Sequence, residues 1–247
     1  MLQSKITLHP AVLADSLPIA QLHNAAFAND DLLETMYGPL TQNDTPFAND
    51  LQKIIADDPY SRITKAIDTA SGQIVAWSWW SLYPDAEAHA TEAEEARKRG
   101  TNPPAASLCP RLYLDYQDLK ARMREKWIGG RPVASKLASL LQCLIWVLGL
   151  RLIAWLVLQV LAVHPDYQGR GIGTQLLMVG VEEARRLGLP AWLEASEAGY
   201  SVYRRCGFVD AERMELDFGK YGLSGMEQVY CMLMDDVEQS SASTVDK

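Results

Sequence analysis

Gly169, Gly171 and Gly173 alternate with Arg170 and Ile172, in a run that opens on Gln168 and closes on Thr174. Glycine tolerates positive φ and has no side chain to block approach. Such a run lets successive backbone N–H groups converge on one point. It follows an apolar stretch, Val160-Leu161-Ala162-Val163, turned by His164-Pro165. It precedes Ile172, Leu176, Leu177, Val179, Gly180, Ala184 and Leu187, which share a helical face. A helix starting there adds free N–H groups and the positive end of its dipole. Strand, loop and helix start describe an anion site suited to a phosphate or pyrophosphate. The alternative is a glycine-rich connector with no ligand.

Other chemistry is sparse. Cys109, Cys143, Cys206 and Cys231 form no C-x-x-C pair, and His9, His23, His89 and His164 are scattered, so no metal site is expected. Cysteine usage without a leader pattern points to reduced thiols in a cytoplasmic or nuclear setting. The net charge of −8 argues against nucleic acid as a partner. An acidic surface suits a cationic substrate, and it also aids solubility. A chain of 247 residues with 48% hydrophobic content can build one large domain.

The positioning elements read as follows. Ile6-Thr7-Leu8 is a first strand, ended by His9-Pro10. Helices are expected from Asp15 or Ser16 to Phe27, over Asp31–Tyr37, and over Asn43–Asp57 with a break near Pro46. Arg62–Asp68 and Ile74–Tyr83 form a hairpin around Ser71-Gly72. Trp77, Trp79 and Trp80 on its second strand suggest a stacking box, but aromatics in strands serve packing, and we read them as core. Residues 85–106 form an Ala- and Glu-rich acidic insertion. Leu108–Trp127 is a helix, stopped by Gly129-Gly130-Arg131-Pro132. After the glycine loop come a helix to Leu187, a strand at Ala191–Ala195, a helix at Gly199–Cys206, strands at Ala211–Phe218 and Glu227–Met234, and a disordered tail over 237–247.

From Leu137 to Val163 the chain is nearly continuous apolar sequence, long enough in residues for a membrane span. Arg151 near its centre makes insertion costly, and a single span would part the hairpin from the strand at Val160. We therefore expect no span. About 135–159 reads as an atypical insertion: an extra buried helix at an oligomer interface, or translated non-coding sequence.

Gln168-Gly169-Arg170-Gly171-Ile172-Gly173 resembles the Q/R-x-x-G-x-G/A loop of the GCN5-related N-acetyltransferase (GNAT) family. Tyr203-Arg204-Arg205-Cys206-Gly207-Phe208 resembles its later Tyr-x-x-x-Gly-Phe signature. The match is firm over 155–210 and looser over 1–83. The resemblance implies an α/β (α+β) acyl-CoA N-acyltransferase fold over 1–236. Its mixed central sheet of six to seven strands is splayed at the cofactor site and flanked by helices. It implies acetyl transfer from acetyl-CoA to a primary amine of a small molecule or peptide. The alternative is a non-catalytic CoA-binding or interaction protein of the same fold.

In that resemblance Gln168, Gly169, Arg170, Gly171, Ile172, Gly173 and Thr174 bind the cofactor, with the pyrophosphate on the backbone N–H groups of Arg170 to Thr174. Leu161, Ala162 and Val163 pair with the pantetheine. Tyr203 is the candidate general acid toward the leaving thiolate, or else a packing residue against the cofactor. Ser196 stands where many relatives have an Asn that contacts the cofactor. Glu194, at a strand end, is the candidate base, with a raised pKa expected if it faces a cleft; the alternative is a surface carboxylate. His164 is read as a turn residue.

Overall fold

The fold, a computed structural model, describes residues 5–28, 30–40, 44–83, 88, 91, 94, 103–129 and 154–235. Alternating side chains carry the strands: β1 (Ile6–Pro10), β2 (Ser61–Asp68), β3 (Ile74–Tyr83), β4 (Trp155–Val163), β5 (Ala191–Ala195), β6 (Val209–Asp217) and β7 (Met226–Met234). They form a seven-stranded sheet in the order β1-β2-β3-β4-β5-β7-β6. The pairs β1–β2, β2–β3, β5–β7 and β6–β7 are antiparallel. The α-helices among the described residues are α1 (Ser16–Ala26), α2 (Asp31–Tyr37), α3 (Asp44–Asp57), α4 (Pro110–Arg124), α5 (Ile172–Leu187) and α6 (Glu197–Arg205). This is the mixed α/β arrangement that the family resemblance implied.

By contact the described residues divide into two units. The first is drawn from Met1–Ser81, Pro103–Pro110 and Leu158–Val181, the second from Leu82–Asn102, Arg111–Val157 and Glu182–Lys247. In the first unit β4 serves two clusters, because successive side chains on a strand point to opposite faces. Val160 and Ala162 pack with Ile19 and Leu22 of α1, Leu51 of α3, Ile63 and Trp77. Leu161 and Val163 pack with Ala66, Val75 and Ala76 and with Ile172 and Leu176 of α5. Trp77 and Trp80 are fully buried, as the core reading required. Thr35 of α2 accepts from the N–H groups of Leu108 (3.0 Å) and Cys109 (3.1 Å), which ties the end of the acidic stretch to α2.

In the second unit Tyr83, Trp155, Val157, Trp192, Met214, Val229, Cys231 and Leu233 form a core. Tyr116, Leu119 and Met123 of α4 pack against it. The helical spacing read over 108–127 thus describes a real apolar face, although the α-helix ends at Arg124 and passes into a π turn, Glu125–Gly129.

Several expectations are corrected. β1 runs through Pro10, which pairs with Thr64 on an edge strand, where a missing N–H is tolerated. α3 is continuous through Pro46, because that proline sits in its first turn and breaks no intrahelical bond. The largest correction concerns Trp155–Gln159. These residues belong to β4 rather than to an insertion, and Trp155, Leu156, Val157 and Leu158 are buried. A strand covered on both faces reads as continuous apolar sequence, so its start was hidden in the run before it. The rest of that run, the acidic stretch at 84–87, 89–90, 92–93 and 95–102, and the tail from 236 lie outside the described residues. No helix among the described residues is long and apolar enough to cross a membrane.

Gly180 of α5 lies directly against the Trp80 indole, and an added Cβ would overlap that ring. Alanine is the better helix former by about 1 kcal/mol, yet Trp80 is fully buried and cannot swing away. Gly180→Ala should therefore lower stability by about 1–3 kcal/mol in urea unfolding. A variant as stable as the parent would show that the helix does not lie against Trp80.

Candidate active site

The glycine loop is built by local bonds. His164 caps the short 3-10 turn Pro165–Tyr167 by accepting from the Asp166 N–H through Nδ1 at 3.2 Å, which is the turn role expected of it. Gly169 and Gly171 adopt φ of +73° and +76°. No non-glycine residue has positive φ among the described residues, so Arg170 between them does not. Alternating signs of this kind turn consecutive N–H groups to one side. The Gly171 carbonyl accepts from the Gln175 N–H at 3.1 Å, which opens the helical ladder of α5. The N–H groups of Ile172, Gly173 and Thr174 precede that bond and have no intrahelical partner.

Four contacts hold the loop in this shape. The Tyr167 hydroxyl donates to Asp68 at 2.9 Å. The Gln168 amide donates to the Val163 carbonyl at 3.1 Å. The Arg170 guanidinium donates to the Asp166 carbonyl at 2.6 Å and lies 4.7 Å from the centre of the Tyr167 ring. An added Cβ on Gly173 would lie 3.4 Å from Val163 Cγ2, so this glycine lets α5 approach the end of β4. By contrast, a Cβ on Gly169 or Gly171 would meet nothing within 4 Å. The space over both positions is open. Leu161, Ala162, Val163 and Gln168 to Thr174 are therefore brought together, and the open cradle fits the phosphate groups of the implied cofactor.

Glu194, Ser196 and Tyr203 belong to the second unit. Ser196 is the N-cap residue of α6, with extended backbone, and its hydroxyl makes no capping bond. It is exposed. Tyr203, one turn after Gly199, has its ring edge where a Gly199 Cβ would come within 2.7 Å. Its phenol is buried, and burial, then Cys206, pushes its pKa up to about 12.

Glu194 departs from expectation. Arg124 of α4 grips both carboxylate oxygens, at 2.7 and 2.6 Å, and Trp192 Nε1 donates to Oε1 at 2.7 Å. Burial pushes its pKa up, but Arg124, Lys120 and Trp192 outweigh burial and bring it down to about 2. The raised pKa expected of a cleft carboxylate is thus corrected to a lowered one. Sequence reading missed Arg124 because it lies 70 residues from Glu194. One signal was present: Tyr116, Lys120 and Arg124 follow at i, i+4, i+8 on one side of a half-apolar helix. Two cations beside a core require an anion from elsewhere.

A seven-stranded mixed sheet with a glycine loop between β4 and a helix defines a class of fold. Residues 139–210 match the family model of an acetyltransferase (GNAT) domain. The whole fold is similar to Drosophila melanogaster polyamine N-acetyltransferase, an enzyme that forms N-acetylagmatine. There the TM-score is 0.62 at 15% identity, covering 94% of this chain and 100% of that one. It is also similar to mosquito arylalkylamine N-acetyltransferase like 5b, at TM-score 0.59 and 15% identity, covering 93% and 99%. A third likeness is to histone acetyltransferase HPA2 and related acetyltransferase from Corynebacterium glutamicum, at TM-score 0.51 and 20% identity, covering 94% and 96%. The described residues take the GNAT fold, and residues 139–210 carry the match to the model of that domain.

The Glu194–Arg124 pair also predicts a pH dependence. A folded pKa of about 2 against an ordinary 4.5 gives stability that is complete above 4.5 and lost as pH falls from there toward 2. The shift is worth on the order of 3 kcal/mol. Glu194→Gln leaves Arg124 buried without its counter-charge, and should cost about 3 kcal/mol or more at pH 7. It should also lose less stability than the parent between pH 5 and pH 3, as urea unfolding at each pH would measure. An equal acid response in both proteins would contradict the pair.

Proposed function

We propose that this chain is an N-acetyltransferase that moves acetyl from acetyl-CoA to a primary amine of a small molecule or peptide by direct attack. The observation that carries the reading is the loop. Gly169 and Gly171 hold positive φ with open space above them, immediately before the free N-terminal N–H groups of α5. Bound there through its phosphates, acetyl-CoA supplies an activated acyl group as a thioester. The backbone at Leu161, Ala162 and Val163 is assigned to the pantetheine arm, and Ser196 to a polar contact with the same arm. The amine-acetylating enzymes of similar fold support an amine acceptor. A cytoplasmic setting remains part of the proposal.

Tyr203 is assigned as donor to the departing thiolate. Its raised pKa keeps the phenol protonated across neutral pH, which is the form a donor needs. Complete proton transfer from such a phenol to a thiolate of ordinary pKa is uphill by about 5 kcal/mol, so its first contribution is a hydrogen bond to developing charge. Glu194, held by Arg124, does not serve as the base in this reading. The ammonium proton of the acceptor leaves to solvent before attack. One observation favours a second reading, CoA binding without turnover: the expected base is committed to an ion pair.

Isothermal titration with acetyl-CoA, followed by thiol release against an amine panel, separates the two readings. Gly171→Val puts a branched side chain at a positive φ and into the open cradle; it should abolish binding. Tyr203→Phe should keep binding and lower kcat by about a hundredfold. Binding without thiol release on any amine would establish the second reading, and unchanged affinity in Gly171→Val would defeat both.

A further inference from the structure

The proposed transfer makes no use of Lys120. It stands on α4 one turn after Tyr116 and one turn before Arg124, and its Nζ lies 5.6 Å from the centre of the Tyr116 ring. The anion of this region is Glu194, and Arg124 occupies both of its oxygens, with Trp192 on Oε1. Cys231 faces Glu194 across the β5–β7 pair, and its thiol is pushed up to about 12 by burial and the carboxylates, so it offers no thiolate. Tyr83 of β3 acts on Arg124 rather than on Lys120. Two cations one turn apart therefore share one carboxylate, and the guanidinium holds it. Lys120 makes no hydrogen bond or ion pair among the described residues, and it keeps part of its surface open to solvent.

An ammonium in such a place is partly dehydrated, has only a share in a carboxylate that a guanidinium already grips, and stands beside that guanidinium. A neutral amine suffers neither cost, and a neutral lysine amine is a nucleophile. Burial, then Arg124, lowers the Lys120 pKa to about 8 against the opposing pull of Glu194 and Cys231.

We propose that Lys120 is a nucleophilic amine that accepts an acyl group from a small acyl thioester and becomes an amide on α4. The Nζ lone pair attacks the thioester carbonyl carbon. The N–C bond forms, the C–S bond breaks with its pair on sulfur, and the proton lost from Nζ passes to water. The proposal does not rest on the function assigned to the glycine loop.

The test uses the full chain and S-acetyl-N-acetylcysteamine, a thioester without a nucleotide, so failure of the loop reading leaves the experiment intact. Acetylation of each lysine is followed by peptide mass spectrometry from pH 6.5 to 10, with exposed Lys53 as the internal reference. At pH 8 Lys120 holds about a hundredfold more neutral amine than an ordinary lysine. Its lower basicity offsets part of that, leaving an expected rate advantage of about tenfold. The Lys120 rate should level off above about pH 8, while that of N-acetyl-lysine amide in the same solution keeps rising. Arg124→Gln frees Glu194 to pair with Lys120 and should remove the advantage. Equal rates at pH 8, or a Lys120 profile in the parent protein parallel to that of N-acetyl-lysine amide, would overturn the proposal whether or not the variant folds.

Discussion

The chain must leave β4, reverse, and enter α5 within the eight residues from His164 to Gly171, and the rest of the active region depends on that reversal. A tight turn of this length strands backbone N–H groups that neither strand nor helix can pair. Glycine at 169 and 171 lets those groups point outward together, at φ of +73° and +76°. The turn keeps its shape because its carbonyls and side chains are tied down elsewhere: Asp166 by Arg170, Val163 by Gln168, and Tyr167 by Asp68 on β2. The donors left over are what an anion would meet. A conformational constraint, rather than a charged side chain, makes this the most chemically distinctive place in the fold.

A second constraint lies in the other unit. Arg124 and Glu194 are both largely buried, and neither charge is tolerable there alone. The pair fixes α4 against β5 and sets the titration of what surrounds it: Glu194 is held ionised, Cys231 is held neutral, and Lys120 is left as the surplus cation. A residue that looks like a base by its place at a strand end thus acts as a tie between helix and sheet.

What was legible in the sequence is what depends on near neighbours. The glycine loop and its helix were legible from local spacing, and the Tyr203 signature, within about forty residues of the loop, from the family resemblance that both motifs carry. The hairpin at Arg62–Tyr83 was legible because alternation and a Ser-Gly turn are local signals. Glu194 was misread because its partner comes from 70 residues away, through packing that no periodicity reveals. The start of β4 was misread for a different reason. Trp155–Leu158 is apolar because both faces of the strand are covered there, and apolar chain before it removes the contrast that would mark a boundary. The contact between Gly180 and Trp80 was invisible for the same cause as Glu194: one hundred residues separate them, and a lone glycine in a helix does not say what it makes room for.

The central claim is that backbone N–H groups of the loop hold the phosphates of CoA. Hydrogen–deuterium exchange on the full chain, with and without saturating CoA, tests it directly. The account predicts slowed exchange in peptides spanning Gly169–Thr174 and Leu161–Val163, with little change over Ile6–Pro10. Tight CoA binding that left exchange at Gly169–Thr174 unchanged would contradict it.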